Sequence, residues 1–115
     1  MVDEMKLDFK DVLIKPQLTT LYSRSQVQLE RTFKFPFCNQ EWTGIPIMSA
    51  NMDTTGTLET AEALAQHKLM TCLHKHYTVE EVVNWGKRVG KSVLNNVAVT
   101  AGVSDRDLNK VKQIL

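Results

Sequence analysis

The sequence predicts an α/β fold on a parallel sheet: the N-terminal part of a (β/α)8 TIM barrel, about three βα units preceded by a β-hairpin extension. Three observations predict it. Short apolar runs without alternation recur at 45–50, 69–73 and 97–100. Each is followed by a polar loop and then by apolar residues at helical spacing. The strand starts lie roughly 25 residues apart, within the range of a barrel in which ~250 residues close eight units.

The opening stretch, residues 1–44, differs from the rest and forms a separate N-terminal extension. Leu7-Asp8-Phe9 and Val12-Leu13-Ile14 are short apolar clusters closed by Pro16. Val27, Leu29, Phe33 and Phe35 then alternate with Gln28, Glu30 and Lys34, the period-two pattern of a half-buried strand, and Pro36 ends it. Cys38-Asn39-Gln40 reads as a turn, and Glu41-Trp42-Thr43 pairs back to make a hairpin.

The repeating part occupies 45–115. Ile45 to Ala50 is a strand buried on both faces. A loop runs from Asn51 to Gly56, and Leu58, Ala61, Leu64 and Ala65 mark one face of a helix. Leu69 to Leu73 is the second strand and His74-Lys75-His76-Tyr77 its loop. Thr78-Val79-Glu80-Glu81 is a capping box, in which hydroxyl and carboxylate satisfy orphan backbone donors. Val79, Val82, Val83 and Val89 line the helix that follows, and Gly90 is its candidate stop. Val97 to Thr100 is the third strand and Ala101-Gly102-Val103 its loop. Ser104, with Asp107 three residues on, caps a third helix carrying Leu108, Val111 and Leu115.

Three units cannot close a barrel, and a three-stranded sheet leaves an edge of unpaired backbone groups. The organisation therefore points to a truncated chain whose last helix, with Val111, Ile114 and Leu115, continues an apolar face into further structure. A small open α/β sandwich complete in itself is the alternative.

Composition excludes more than it assigns. The 115 residues are 43% hydrophobic and 23% charged, with a formal net charge of +1. Such a balance exerts no global pull on nucleic acid or an anionic membrane. The stretch from Met1 to Lys10 lacks a signal-peptide core, and no run reaches the roughly 20 apolar residues of a membrane span. These features predict a cytoplasmic protein with no nucleic-acid or membrane partner. Cys38 and Cys72 form no CxxC pair and read as two buried thiols in a reducing compartment.

Ligands of α/β folds sit at the carboxyl ends of the strands. There the sequence places Ser49 to Gly56, His74 to Tyr77 and Thr100 to Gly102. Each has two roles open to it. Asn51 and Asp53 either order their own turn or face a ligand. Met52 either plugs a core gap or lines a pocket. His74 and His76, alternating along an extended segment, point to opposite faces; no third ligand cluster completes a metal site, and none is predicted. Lys75 is either a solvated lysine or a point charge for phosphate. Arg24, in Ser23-Arg24-Ser25, is either a surface residue or a phosphate fork. There is no glycine-rich phosphate loop, and neither cysteine sits at a strand end as a nucleophile would.

Three runs carry a resemblance. Leu7-Asp8-Phe9-Lys10-Asp11-Val12-Leu13-Ile14-Lys15-Pro16, Ser49-Ala50-Asn51-Met52-Asp53-Thr54 and His74-Lys75-His76-Tyr77 resemble the IMP dehydrogenase/GMP reductase family. The likeness covers essentially the whole chain, including Ser23-Arg24-Ser25-Gln26-Val27. The forms of 50–57 and of His-Lys-His-Tyr resemble the reductase branch, as does the passage from the second helix into Asn96-Val97 without a regulatory-domain insertion. Thr55 departs from the pattern, where Val is more usual. A piece of a dehydrogenase, or a free-standing nucleotide-binding or assembly module, are the alternatives.

The resemblance implies conversion of GMP to IMP and ammonia with oxidation of NADPH, in purine interconversion and salvage. It implies a cysteine on a later loop as nucleophile, a potassium or other monovalent cation holding that loop, and a homotetramer. Neither Cys38 nor Cys72 matches the catalytic motif, so no catalytic residue is expected in this chain, which alone is expected to be inactive. Ser23, Arg24 and Lys75 resemble positions that contact NADPH. Ala50, Asn51 and Met52 resemble the loop lining the nucleotide pocket. Asp105 and Arg106 lie near where the family's cofactor region begins.

Overall fold

Four backbone positions of β-sheet potential between Val27 and Glu30 go unused in the computed structural model, which describes residues 4–115. The hairpin is shorter than the alternation suggests: β1 spans Arg31–Lys34 and β2 spans Glu41–Gly44. They pair antiparallel with Arg31 opposite Gly44 and Phe33 opposite Trp42. The chain leaves the ladder after Gly44, so 27–30 have no strand to pair with, and an alternating pattern without a partner is not a strand. The Phe33 and Trp42 rings stack with centroids 6.1 Å apart. Before the hairpin, Phe9–Asp11 and Arg24–Gln26 form short 3-10 turns, capped by Asp8 and Ser23. Residues 1–3 of the predicted extension, with the first part of the stretch read for a leader, lie outside the described residues.

The second sheet is parallel, in the order β3 (Met48–Ser49), β4 (Met70–Leu73), β5 (Val97–Val99). Met48 lies beside Met70, and Cys72 beside Ala98. β3 keeps only two of the residues its apolar run predicts. Pro46 has no N–H to give the ladder, and the Ile47 N–H turns back to the Ile45 carbonyl at 2.7 Å.

Helix α1 (Leu58–Ala65) starts at Thr57, whose hydroxyl accepts from the Thr60 N–H at 3.2 Å. Helix α2 (Val79–Val89) starts with the predicted box. The Glu81 N–H donates to the Thr78 hydroxyl at 3.2 Å, and the Thr78 N–H donates to the Glu81 carboxylate at 2.7 Å. Gly90, with φ +80°, ends α2, since that conformation suits glycine. A one-turn helix α3 (Lys91–Leu94) follows at once, an element that the valine periodicity does not show. Helix α4 (Asp105–Ile114) starts at Ser104 as expected. Its inward residue is Ile114; Leu115 is 92% exposed and leaves the predicted face.

The core is small and lies between the sheet and the helices. Ala61, Leu73, Val82 and Trp85 are buried, with Leu58, Tyr77, Val97 and Ile114 packed on them. Along β4, Thr71 and Leu73 face this core, while Met70 and Cys72 alternate to the other side. There Met48 is 51% exposed and its sulfur faces the Cys72 thiol. The buried hydroxyls of Ser49 and Thr71, neighbours in register, have no hydrogen-bond partner among the described residues. Leaving a polar group so costs roughly 1–3 kcal/mol.

Candidate functional site

The parallel register sets the ends of β3, β4 and β5 side by side, and the loops leaving them form one rim. The first loop folds on itself through the Thr55 and Gly56 N–H groups, which both donate to the Met52 carbonyl, at 3.0 and 2.8 Å. Gly56 is buried against β4, and a Cβ there would collide with the Cys72 carbonyl oxygen. That close approach lets the Gly56 carbonyl accept from the His74 N–H at 3.0 Å.

Side chains complete the tethering. The His76 imidazole lies 3.3 Å from the Asp53 carboxylate. The Leu58 N–H, one of the orphan donors at the start of α1, donates to the Tyr77 hydroxyl at 3.1 Å. Asn51 Nδ2 reaches the third loop at Thr100 Oγ1, 3.1 Å away. Lys110 Nζ donates to the Lys75 carbonyl at 2.7 Å, joining α4 to the second loop.

These contacts bear on the structural roles left open by the sequence. Asn51 and Asp53 bond across to other loops instead of only ordering their own. Met52 is 58% exposed, so it is not filling a core gap. His74 and His76 do not point to opposite faces. Their segment is a turn, not an extended strand, and the His76 N–H donates to His74 Nδ1 at 3.2 Å, which brings the ring centroids to 5.7 Å.

Lys75 lies exposed at the rim, and among the described residues no carboxylate pairs with it. Ala50, Asn51 and Met52 sit together on the first loop. Ser23 and Arg24 lie elsewhere. The Ser23 hydroxyl accepts from the Ser25 N–H at 3.3 Å, and among the described residues no hydrogen bond or ion pair joins either residue to the rim. Asp105 and Arg106 are exposed in the first turn of α4. Gly56, Tyr77 and Thr100 hold the rim together; the sequence puts them at the strand ends but gives them no role there. Turn chemistry marks Gly56, but nothing local marks Thr100 as a partner of Asn51.

The two thiols are not both buried as the sequence suggests: Cys72 is half-buried and Cys38 exposed. Burial pushes the Cys72 thiol up, which makes its thiolate scarcer. Cys38 is exposed on the hairpin turn. Among the described residues no three His, Cys, Asp or Glu side chains converge. No helix there is long and apolar enough to cross a membrane.

A parallel sheet with helices on one face and three tethered loops at its carboxyl ends defines an α/β protein, a class in which ligands generally sit at that end of the strands. The family model for the IMP dehydrogenase / GMP reductase domain matches residues 6–114, and the chain belongs to that family. Similar curated proteins carry the name GMP reductase. That of Yersinia enterocolitica is 53% identical over 96% of this chain and 32% of its own length. That of Salmonella paratyphi C is 51% identical over 98% of this chain and 33% of its own length. That of Vibrio campbellii is 48% identical over 97% of this chain and 32% of its own length. The chain thus spans about a third of the length of the curated relatives it matches.

Proposed function

We infer that this chain forms the nucleotide- and cofactor-facing rim of a GMP reductase, an oxidoreductase that converts GMP to IMP and ammonia with NADPH. The observation that carries this reading is the rim itself. The reductase-like loop 50–57 and the His-Lys-His-Tyr loop are locked together at the strand ends, in a chain about half identical to proteins named GMP reductase. On this reading the parallel units at 45–115 belong to a TIM barrel, and 1–44 is an extension outside it. GMP, IMP and NADPH are its small-molecule partners, in a cytoplasmic homotetramer.

The residues fit the roles proposed for them. Lys75 holds an ammonium at the rim with no carboxylate competing for it among the described residues. Its backbone is fixed by Lys110, so little ordering remains to be done when an anion binds. Lys75 takes a phosphate of NADPH as a point charge; Ser23 and Arg24, which lie apart from the rim in this chain, are proposed as further NADPH contacts, a hydroxyl and a planar donor fork. Ala50, Asn51 and Met52 line the nucleotide pocket. Asn51 is held by Thr100, and Met52 offers an apolar surface to a purine. NADPH, when bound, supplies the hydride for the reductive deamination. What these residues do is bind and orient. No nucleophile is assigned to Cys38 or Cys72.

The test is GMP-dependent NADPH oxidation, followed by absorbance, with these 115 residues carried in a chain of the relatives' full length. Turnover is expected, with the KM for NADPH raised roughly tenfold or more in Lys75→Ala through loss of a charge-assisted contact. No GMP-dependent oxidation would sink the reading.

A further inference from the structure

His74 is held on three sides before any ligand arrives. Its N–H donates to the Gly56 carbonyl at 3.0 Å. Its ring lies flat on Tyr77, with centroids 4.1 Å apart and planes 14° from parallel. Tyr77 is itself anchored by the core and by the Leu58 N–H. Third, His74 Nδ1 accepts from the His76 N–H at 3.2 Å. A backbone N–H can only donate, so Nδ1 must keep its lone pair, and the neutral ring carries its proton on Nε2. This assignment follows from the identity of the donor.

Among the described residues, Nε2 has no partner. The acids around it are engaged: the Asp53 carboxylate with His76, and the Glu81 carboxylate with the N–H and hydroxyl of Thr78, at 2.7 and 2.9 Å. Lys75, the next residue, adds positive charge to the same loop. An oriented, uncommitted N–H beside a lysine at a strand end suits an acceptor oxygen that carries negative charge.

We propose that His74 is a ligand-binding residue whose Nε2–H donates to a phosphate oxygen of a nucleotide bound at this rim, with Tyr77 as the residue that positions the ring. The proposal rests on the GMP reductase reading, in which two ligands carry phosphate. The kinetics below separate them.

Two substitutions split the two ring nitrogens. In His74→Asn the side-chain oxygen still reaches the His76 N–H, so the turn survives while the Nε2 donor is lost. In His74→Gln an amide N–H lies near the Nε2 position, while the turn bond is lost. A rise of about tenfold in one KM is expected for His74→Asn, with its melting temperature unchanged and most affinity regained in His74→Gln. A raised KM for GMP identifies its phosphate as the partner, and a raised KM for NADPH identifies the cofactor's. Unchanged KM values in His74→Asn, or losses in both variants that follow their melting temperatures, would overturn the proposal. Long-range 1H–15N spectra at pH 8 test it without turnover. The Nε2–H tautomer is expected, with a resonance that moves on adding inorganic phosphate. An Nδ1–H tautomer, or no movement, overturns the proposal even where the activity is present. Absent activity with the expected spectra overturns only the reductase reading.

Discussion

Glu62 on α1 accepts from Trp85 Nε1 at 2.9 Å and from the Arg88 guanidinium at 2.6 Å, both on α2. The Trp85 hydrogen bond first, and the Arg88 contact after it, hold its carboxyl below the ordinary value of 4.5. Because the folded value is depressed, this contribution to stability is fully present above the unfolded value and is lost as pH falls through the folded one. Thermal melts from pH 6 down to about pH 3 should show a falling melting temperature below roughly pH 4.5. Glu62→Gln should flatten part of that fall, because the amide keeps an acceptor for Trp85 but has no proton to take up. An unchanged acid slope would show that Glu62 contributes nothing to it. Periodicity places Val82 and Val83 on the inner face of α2. Trp85, three residues after Val82 and four before Val89, shares that face and is buried with Val82, and only the fold reveals Glu62 as the partner its indole N–H needs.

At the scale of the element, caps matter more than propensity in helices this short. α2 has eleven residues, near the length at which an isolated helix is marginal in water. Its capping box satisfies two of the orphan donors, and Thr78→Ala removes the hydroxyl that serves Glu81. The expected cost is about 1 kcal/mol, read as a lower midpoint in urea with the slope unchanged. Because Thr78 follows the His-Lys-His-Tyr turn, the same substitution should loosen the rim and speed amide exchange at 74–77. A long-range bond from Trp42 Nε1 to Asn96 Oδ1, at 2.9 Å, ties the hairpin to the residue before β5. Trp42 is 9% exposed, and its place on the returning strand of the hairpin was legible in the sequence. Its partner, 54 positions away, was not.

Over the whole molecule, the radius of gyration is 18.2 Å, against about 13 Å for a compact domain of this length. The difference lies in the segment before the hairpin, where Phe9, Leu13, Ile14 and Leu18 are almost fully exposed. Apolar surface on that scale marks an interaction surface or an aggregation hazard. The second sheet adds Met48 and the unpaired edges of β3 and β5. The 115-residue chain by itself is therefore expected to sediment as species heavier than its 13.1 kDa. A single monomeric boundary at tens of micromolar would refute this. The core between sheet and helices is too small to offset so much exposed surface.

Sequence alone determined the hairpin, the three βα units and their order, the caps at Thr78 and Ser104, the stop at Gly90 and the family motifs, but not the one-turn α3. All of these depend on residues within a few positions of one another, where periodicity and capping chemistry act. Only the tertiary structure decided which rim residues meet. Asn51 bonds Thr100, Asp53 pairs with His76, and Gly56 lies against the carbonyl of Cys72, because the parallel register carries three distant strand ends to one level. It also decided where β1 begins and how short β3 is, since a ladder needs a partner and an N–H at each step. Local free energies write the list of parts. Contacts between parts arise only when burial of Trp85, Leu73 and Ala61 holds the strands in one register.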